Sequence, residues 1–90
     1  MRFAWDFRKA ALNLHKHGIS FEEAATVFRD FFSATVHDPD HSEVEERFIT
    51  FGMSSRGRLL VVSHTEREEE LRIISARMVT NEERKIYEEG

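Results

Sequence analysis

Two apolar runs in the C-terminal half of the chain constrain its fold more than any other feature. Arg58–Thr65 and Leu71–Val79 are rich in Val, Ile and Leu, and the acidic segment Glu66–Glu70 separates them. Runs of this length and composition between polar breaks are typical of strands in a sheet core. Because the segment between them is short, we predict neighbouring antiparallel strands joined by a turn.

Further strands are predicted upstream of this pair. Glu46–Met53 alternates as a strand does, and Ser54–Gly57 supplies a hairpin turn into the next strand. Ser33–His37 also has the composition of a strand, and Arg2–Trp5 could form a short edge strand. Three or four consecutive strands with short turns indicate an antiparallel meander.

Capping residues mark three helices. Asp6 is a suitable N-cap for a helix over Asp6–His17, while Ser20 with Glu23 and Thr80 with Glu83 form two capping boxes. In the first helix, apolar residues recur at the i, i+3, i+4 and i+7 spacing of a buried face. They are Phe7, Ala10, Ala11 and Leu14. The order of elements predicts an α+β fold in which two N-terminal helices and one C-terminal helix cover one face of a small sheet.

Length and composition exclude several classes of protein. Ninety residues form one domain, residues 1–90. Without Cys, the chain has no thiolate nucleophile and no Cys-based zinc site. The net charge of −4 argues against a general, charge-driven nucleic-acid binder, although it allows a small basic patch. We see no signal peptide and no apolar run of membrane-spanning length, so we expect a soluble, cytoplasmic protein.

The chain resembles the BrnT family of bacterial type II toxins in five blocks that follow the family's order. The blocks are WDFRKAALNLHKHGISFEEA, HSEVEERFITFG, GRLLVVSHTER, RIISAR and NEERKIYEE, and they extend nearly from end to end. The resemblance implies a RelE-like fold and a ribonuclease activity that arrests translation. It also implies neutralisation by a BrnA-type antitoxin, through which alone the complex binds DNA. Neither a cofactor nor a metal nor a membrane is expected.

A ribonuclease that works without a metal uses the 2′-hydroxyl of the RNA as its nucleophile. The protein must then move protons and stabilise the charge on the phosphorane. His or Glu suits the first task and Arg the second. We therefore predict His64 or Glu66 as general base or acid, and Arg67 and Arg77 as phosphate ligands. The predicted RNA-binding residues are Lys16, His17, Arg47, Arg72, Arg84 and Tyr87.

Some of these residues also have a purely structural explanation. His64 alternates in register with Leu60 and Val62, as a histidine at the margin of the core would, and Glu66 and Arg67 fit a solvated turn. A metal site formed by turn residues is a further reading, for which the spacing gives little support. Its ligands would be His37, Asp38, Asp40 and His41.

A non-catalytic interaction module is the competing hypothesis for function. Such a protein would hold a DNA-binding antitoxin and tune repression of the operon. The net negative charge and three acidic stretches favour a basic partner. These stretches are Glu22–Glu23, Glu43–Glu46 and Glu66–Glu70.

Overall fold

The structure is a computed structural model that describes residues 1–41 and 45–89, and within them five strands form one sheet. The strands are β1 (Arg2–Ala4), β2 (Ala34–His37), β3 (Arg47–Met53), β4 (Leu59–Arg67) and β5 (Glu70–Met78). Their order across the sheet is β1-β5-β4-β3-β2. Three helices accompany the sheet in this part of the chain, so the predicted α+β class is confirmed.

The direction of β1 corrects one expectation, because the sheet is mixed and not antiparallel throughout. β2 to β5 form an antiparallel meander, whereas β1 lies parallel to β5, with Arg2 opposite Glu70 and Ala4 opposite Arg72. Short turns force the antiparallel pairing of consecutive strands. No turn joins β1 to β5, so the position of the intervening helices decides that direction.

The hairpin between β4 and β5 is tighter than predicted. Its ladder continues as far as the pair Arg67 and Glu70, which leaves Glu68 and Glu69 as the turn. Glu68 adopts a positive φ of 54° there. The predicted five-residue turn is therefore wrong in its bounds, since two of its residues belong to β4 and one to β5.

The helices begin where their capping residues predict. They are α1 (Phe7–His17), α2 (Phe21–Thr26) and α3 (Asn81–Glu89), with a 3-10 turn at Val27–Arg29 after α2. Asp6 Oδ1 accepts hydrogen bonds from the backbone N–H groups of Arg8 (2.8 Å) and Lys9 (3.1 Å). Ser20 Oγ accepts from Glu23 N–H at 3.0 Å. Within residues 1–41 and 45–89, no helix is both long and apolar enough to cross a membrane.

The prediction for the buried face of α1 is wrong. Phe7 is 84% exposed and Leu14 52% exposed, and Ala11 is exposed too; of the four residues only Ala10 packs against the core. Asn13 is the buried residue of α1. Its amide donates to the carbonyls of Ile19 (2.9 Å) and Ala76 (2.8 Å) and accepts from Ala76 N–H (3.1 Å). These hydrogen bonds fix the rotation of the helix, which apolar spacing alone did not predict.

The core lies between α1, α2 and one face of the sheet, which we call the helix face. The prediction that all three helices cover this face is wrong for α3, because its residue Glu83 binds Arg77, which points to the opposite face. Apolar side chains from the α1–α2 connection, from α2, from the 3-10 turn that follows it and from the two strands β4 and β5 fill it almost without exposure. They are Ile19, Phe21, Ala24, Val27, Leu60, Val62, Leu71, Ile73 and Ala76. Because side chains alternate along each strand, the residues between them point to the opposite side, which we call the groove face.

Candidate active site

A groove of about 340 Å³ lies on the groove face. Two cross-strand rows of side chains form its floor, because paired residues on neighbouring strands point to the same side. One row is Ile49, Ser63 and Ser75, and the other is Phe51, Val61 and Arg77. Arg47, Asp38, His41 and Glu83 complete the lining. The groove therefore combines an apolar and hydroxyl floor with charged groups around it.

Arg77 lies in the groove with its guanidinium fixed by α3. Its Nη1 and Nη2 atoms each donate to one oxygen of Glu83 at 2.8 Å, and Nη1 also donates to the Met78 carbonyl at 3.1 Å. The paired guanidinium lowers the pKa of Glu83 to about 2, and the carboxylate raises the pKa of Arg77. A permanently charged fork is thus held at the groove while part of it remains in contact with water.

His41 reaches the groove from the short 3-10 turn Pro39–His41, and Asp38 reaches it from the position just before that turn. The imidazole Nδ1 lies 3.0 Å from Asp38 Oδ2, and the side chains are 63% and 12% exposed. The backbone N–H of Asp38 donates to the Arg47 carbonyl at 2.8 Å, which anchors the turn to the start of β3. Sequence reasoning weighed these residues only as metal ligands. Their i, i+3 spacing was the available signal for a hydrogen-bonded pair.

The other predicted arginine ligands share the groove face but not one location. Arg47 lines the groove. It belongs to a third cross-strand row, Arg47, Thr65 and Arg72, in which Thr65 lies between the two arginines. Arg67 follows Thr65 by two residues and forms an ion pair with Glu45 at 3.2 Å. Four arginines therefore follow one side of the sheet from the groove to the tip of the hairpin.

His64 and Glu66 lie on the other side of the sheet from Arg77. The imidazole is completely buried; its Nε2 lies 2.7 Å from Thr50 Oγ1, and its ring contacts the rings of Phe28 and Phe48. Glu66 Oε2 is 3.6 Å from Nδ1 at the exposed end of the strand. The structure does not bring these two residues to the groove. Their catalytic role stays a prediction, and their location favours a structural one.

The remaining predicted RNA-binding residues lie apart from the groove. Lys16 and His17 border a shallow depression beside Leu12 and Ile74, on the α1 side. Arg84 is exposed on α3. The Tyr87 hydroxyl donates to Asp30 Oδ2 at 2.6 Å, an interaction that raises the pKa of the tyrosine to about 12 and fastens α3 to the main body.

The two histidines considered as metal ligands bond to different carboxylates. His37 bonds to Glu46, whereas His41 bonds to Asp38. Across residues 1–41 and 45–89, no group of three or more His, Asp or Glu side chains is arranged to hold a metal ion. The groove is therefore to be interpreted through its arginines and its His–Asp pair.

We expect His64 to make the protein less stable in acid. Burial lowers the pKa of His64 from 6.5 to about 4, although Glu66 Oε2 lies 3.6 Å from its Nδ1. Between these two values the unfolded chain binds a proton that the folded chain does not, so the free energy of unfolding falls as the pH drops from 6.5 to 4. The loss should approach about 3 kcal/mol.

Urea denaturation of the wild-type protein and of His64→Gln, at about pH 7 and about pH 4.5, measures this loss. The wild type should lose more stability than the variant over that interval. His37→Gln is the matched control, because His37 is exposed to solvent in the folded protein. Equal losses in the wild type and in His64→Gln would contradict the assignment.

The part of the chain that contains the groove is similar to known proteins. A family model described as "Ribonuclease toxin, BrnT, of type II toxin-antitoxin system" matches residues 5–83. The 1.1 Å crystal structure of the Brucella abortus ribonuclease toxin BrnT is similar, with a TM-score of 0.66 and 26% sequence identity. That alignment covers 90% of this chain and 99% of the Brucella chain. A search of curated proteins gives no match.

Proposed function

The chain belongs to the BrnT family of ribonuclease toxins of type II toxin–antitoxin systems, and on this basis we propose that it cleaves RNA on the groove face without a metal ion. In this mechanism the 2′-hydroxyl of the RNA attacks the adjacent phosphorus, and cleavage of messenger RNA inhibits translation. The antitoxin partner that the family implies would be of the BrnA type.

The arrangement of arginines around the groove is the observation that carries this proposal. Arg47 and Arg77 both line the groove, and Arg72 and Arg67 extend the series of arginines along the same face, with Glu70 3.8 Å from Arg72 and Glu45 3.2 Å from Arg67. In a chain with a net charge of −4, such a series on one side of the sheet gives a local path for a polyanion. Arginine matches phosphate oxygens in pairs, so it would both position the RNA and stabilise the phosphorane.

Exposed apolar side chains favour the second hypothesis, a protein-interaction role. Phe7 and Leu14 are exposed on α1, and Phe31 and Phe32 are exposed after the 3-10 turn, with their rings in edge-to-face contact. Apolar surface of this kind commonly marks a protein interface. This role is compatible with catalysis, because a toxin must also bind its antitoxin.

The acidic stretches give this interaction role less support than predicted. Glu23 is buried, which removes it from the predicted Glu22–Glu23 face. The stretch Glu43–Glu46 lies partly outside the described residues. In Glu66–Glu70, Glu68 and Glu69 are exposed at the tip of the β4–β5 hairpin, whereas Glu66 lies beside His64 and Glu70 beside Arg2 and Arg72.

Incubation of total bacterial RNA with the purified protein in EDTA tests the proposed activity. We expect fragments that end in 2′,3′-cyclic phosphates, because a cyclising attack produces that end. The same assay with translating ribosomes detects an activity that requires the ribosome. A matched reaction with added Mg²⁺ shows whether a metal contributes.

The outcomes separate the hypotheses. Cleavage that EDTA abolishes would contradict the metal-free mechanism, and fragments with 3′-hydroxyl ends would contradict attack by the 2′-hydroxyl. Failure to cleave either free or ribosome-bound RNA, by a protein that still binds antitoxin, would leave the interaction module as the function.

A further inference from the structure

We propose that His41 is the general base of the groove and that Asp38 is its positioning residue. The proposal rests on the ribonuclease function proposed above and names the group that removes the proton from the 2′-hydroxyl. His41 and Asp38 line the same groove as Arg47 and Arg77. An acid–base group and the phosphate ligands thus lie on the same side of the sheet. His64 and Glu66, in contrast, lie on the opposite side from these arginines.

The hydrogen bond between the two side chains determines which ring nitrogen of His41 is available. A carboxylate oxygen only accepts hydrogen bonds, so the 3.0 Å contact with Asp38 Oδ2 assigns the proton of the neutral imidazole to Nδ1. Nε2 then has a free lone pair, as a general base requires.

The turn holds the pair in a defined position. Asp38 is bonded through its backbone to Arg47, and the His41 backbone N–H lies 3.4 Å from the Asp38 carbonyl. The Asp38 carboxylate is largely shielded from water, whereas most of the imidazole is accessible. In this arrangement the carboxylate orients the imidazole, and the imidazole remains accessible to a substrate.

The second histidine of this region provides a comparison within the same protein. His37 uses its Nε2 to bond Glu46, and its ring contacts Phe48, whose strand partner His64 lies on the helix face. It is not among the groove-lining residues. His37 is therefore a histidine of similar exposure that lacks both the free Nε2 and the location.

The reaction balances with His41 as the only protein base. Nε2 takes the proton from the 2′-hydroxyl while the 2′-oxygen forms a bond to phosphorus. The bond from phosphorus to the 5′-oxygen breaks, and the 5′-oxygen takes a proton from water. The products are a 2′,3′-cyclic phosphate and a 5′-hydroxyl, and His41 returns its proton to the solvent.

Cleavage rates of His41→Ala, Asp38→Asn and His37→Gln, measured with the RNA that the wild type cleaves, test the assignment. We expect His41→Ala to lose about 100-fold or more in rate, the usual contribution of a general base. Asp38→Asn should lower the turnover rate with little change in RNA affinity, and His37→Gln should retain the wild-type rate. Added imidazole should restore part of the activity of His41→Ala, which a purely structural defect would not allow.

Two results would overturn the proposal while the ribonuclease function stands. One is a His41→Ala variant that cleaves at the wild-type rate; the other is an inactive variant that keeps its circular dichroism spectrum but that imidazole does not rescue. A wild-type protein that cleaves no RNA in either format would overturn the ribonuclease function, and the role of His41 with it.

Discussion

An Arg77→Ala variant is expected to lose RNA cleavage by about 100-fold or more, the effect of removing one preorganised charged donor from a transition state. Both oxygens of Glu83 and the Met78 carbonyl fix the direction of the Arg77 guanidinium in the groove. A phosphate that enters the groove would meet this fork without first having to order a flexible side chain. The measurement is the initial rate at which each variant cleaves the RNA that the wild type cleaves.

Glu83→Gln is the matched control for this experiment. It removes the same ion pair between β5 and α3 but leaves the guanidinium in the groove. If Arg77 binds phosphate, Glu83→Gln should lose much less activity than Arg77→Ala, because the guanidinium remains in the groove and only its orientation is less firmly held. Its stability should fall by about 1 kcal/mol at most, as is usual for a partly exposed pair.

A different pattern would contradict the role of Arg77. Equal losses of activity in Arg77→Ala and Glu83→Gln would mean that the ion pair matters only because it holds α3 in place. Full activity in Arg77→Ala would remove the residue from the site. Antitoxin binding by both variants, measured in parallel, confirms that each is folded.

The largest loss of stability is expected from Glu23→Ala. The Glu23 side chain is 4% exposed and accepts hydrogen bonds from Ser54 Oγ at 2.7 Å and from the guanidinium of Arg58, whose Nε lies 2.9 Å away. These contacts lower the pKa of the carboxyl, with the Arg58 hydrogen bond as the largest cause. Removal of the carboxylate leaves the donors of both residues without their acceptor inside the fold.

We expect the free energy of unfolding to fall by about 3 kcal/mol in this variant, near the lower end for a broken buried pair, because Arg58 can still reach water. For a chain of this length the melting temperature should fall by more than about 10 °C. Glu22→Ala, one residue earlier on α2 and exposed, is the control and should change little. A loss below about 1 kcal/mol for Glu23→Ala would show that the cluster is not a stabilising element.

Glu23 also shows where sequence reasoning was incomplete. The capping box correctly predicted the start of α2, and Ser20 Oγ does accept from the Glu23 backbone. The Glu23 carboxylate, however, turns toward Ser54 and Arg58, more than thirty residues away in sequence. Glu83 differs, since its carboxylate does accept from the Thr80 backbone at 2.9 Å while it also binds Arg77. Local spacing predicts a cap, but not which other partner the side chain finds.

The candidate site was predictable only in part, for a similar reason. Alternation along β3 and β5 places Arg47 and Arg77 on a common side once the register is known, and both were among the predicted residues. His64 was singled out because it is close in sequence to Glu66 and Arg67. Successive side chains of a β-strand point to opposite faces. His64 therefore lies on the other side of the sheet from Arg67, although the two are close in sequence.

The sequence by itself determined the local structure: where helices begin, which segments are strands, and that consecutive strands pair antiparallel. These follow from capping groups, side-chain alternation and short turns, all of which act over a few residues. Only the tertiary structure decided the parallel direction of β1, the rotation of α1 about Asn13 and the meeting of His41 and Asp38 with Arg77 in one groove. Those features depend on contacts between residues far apart in the chain, whose partners no local pattern specifies.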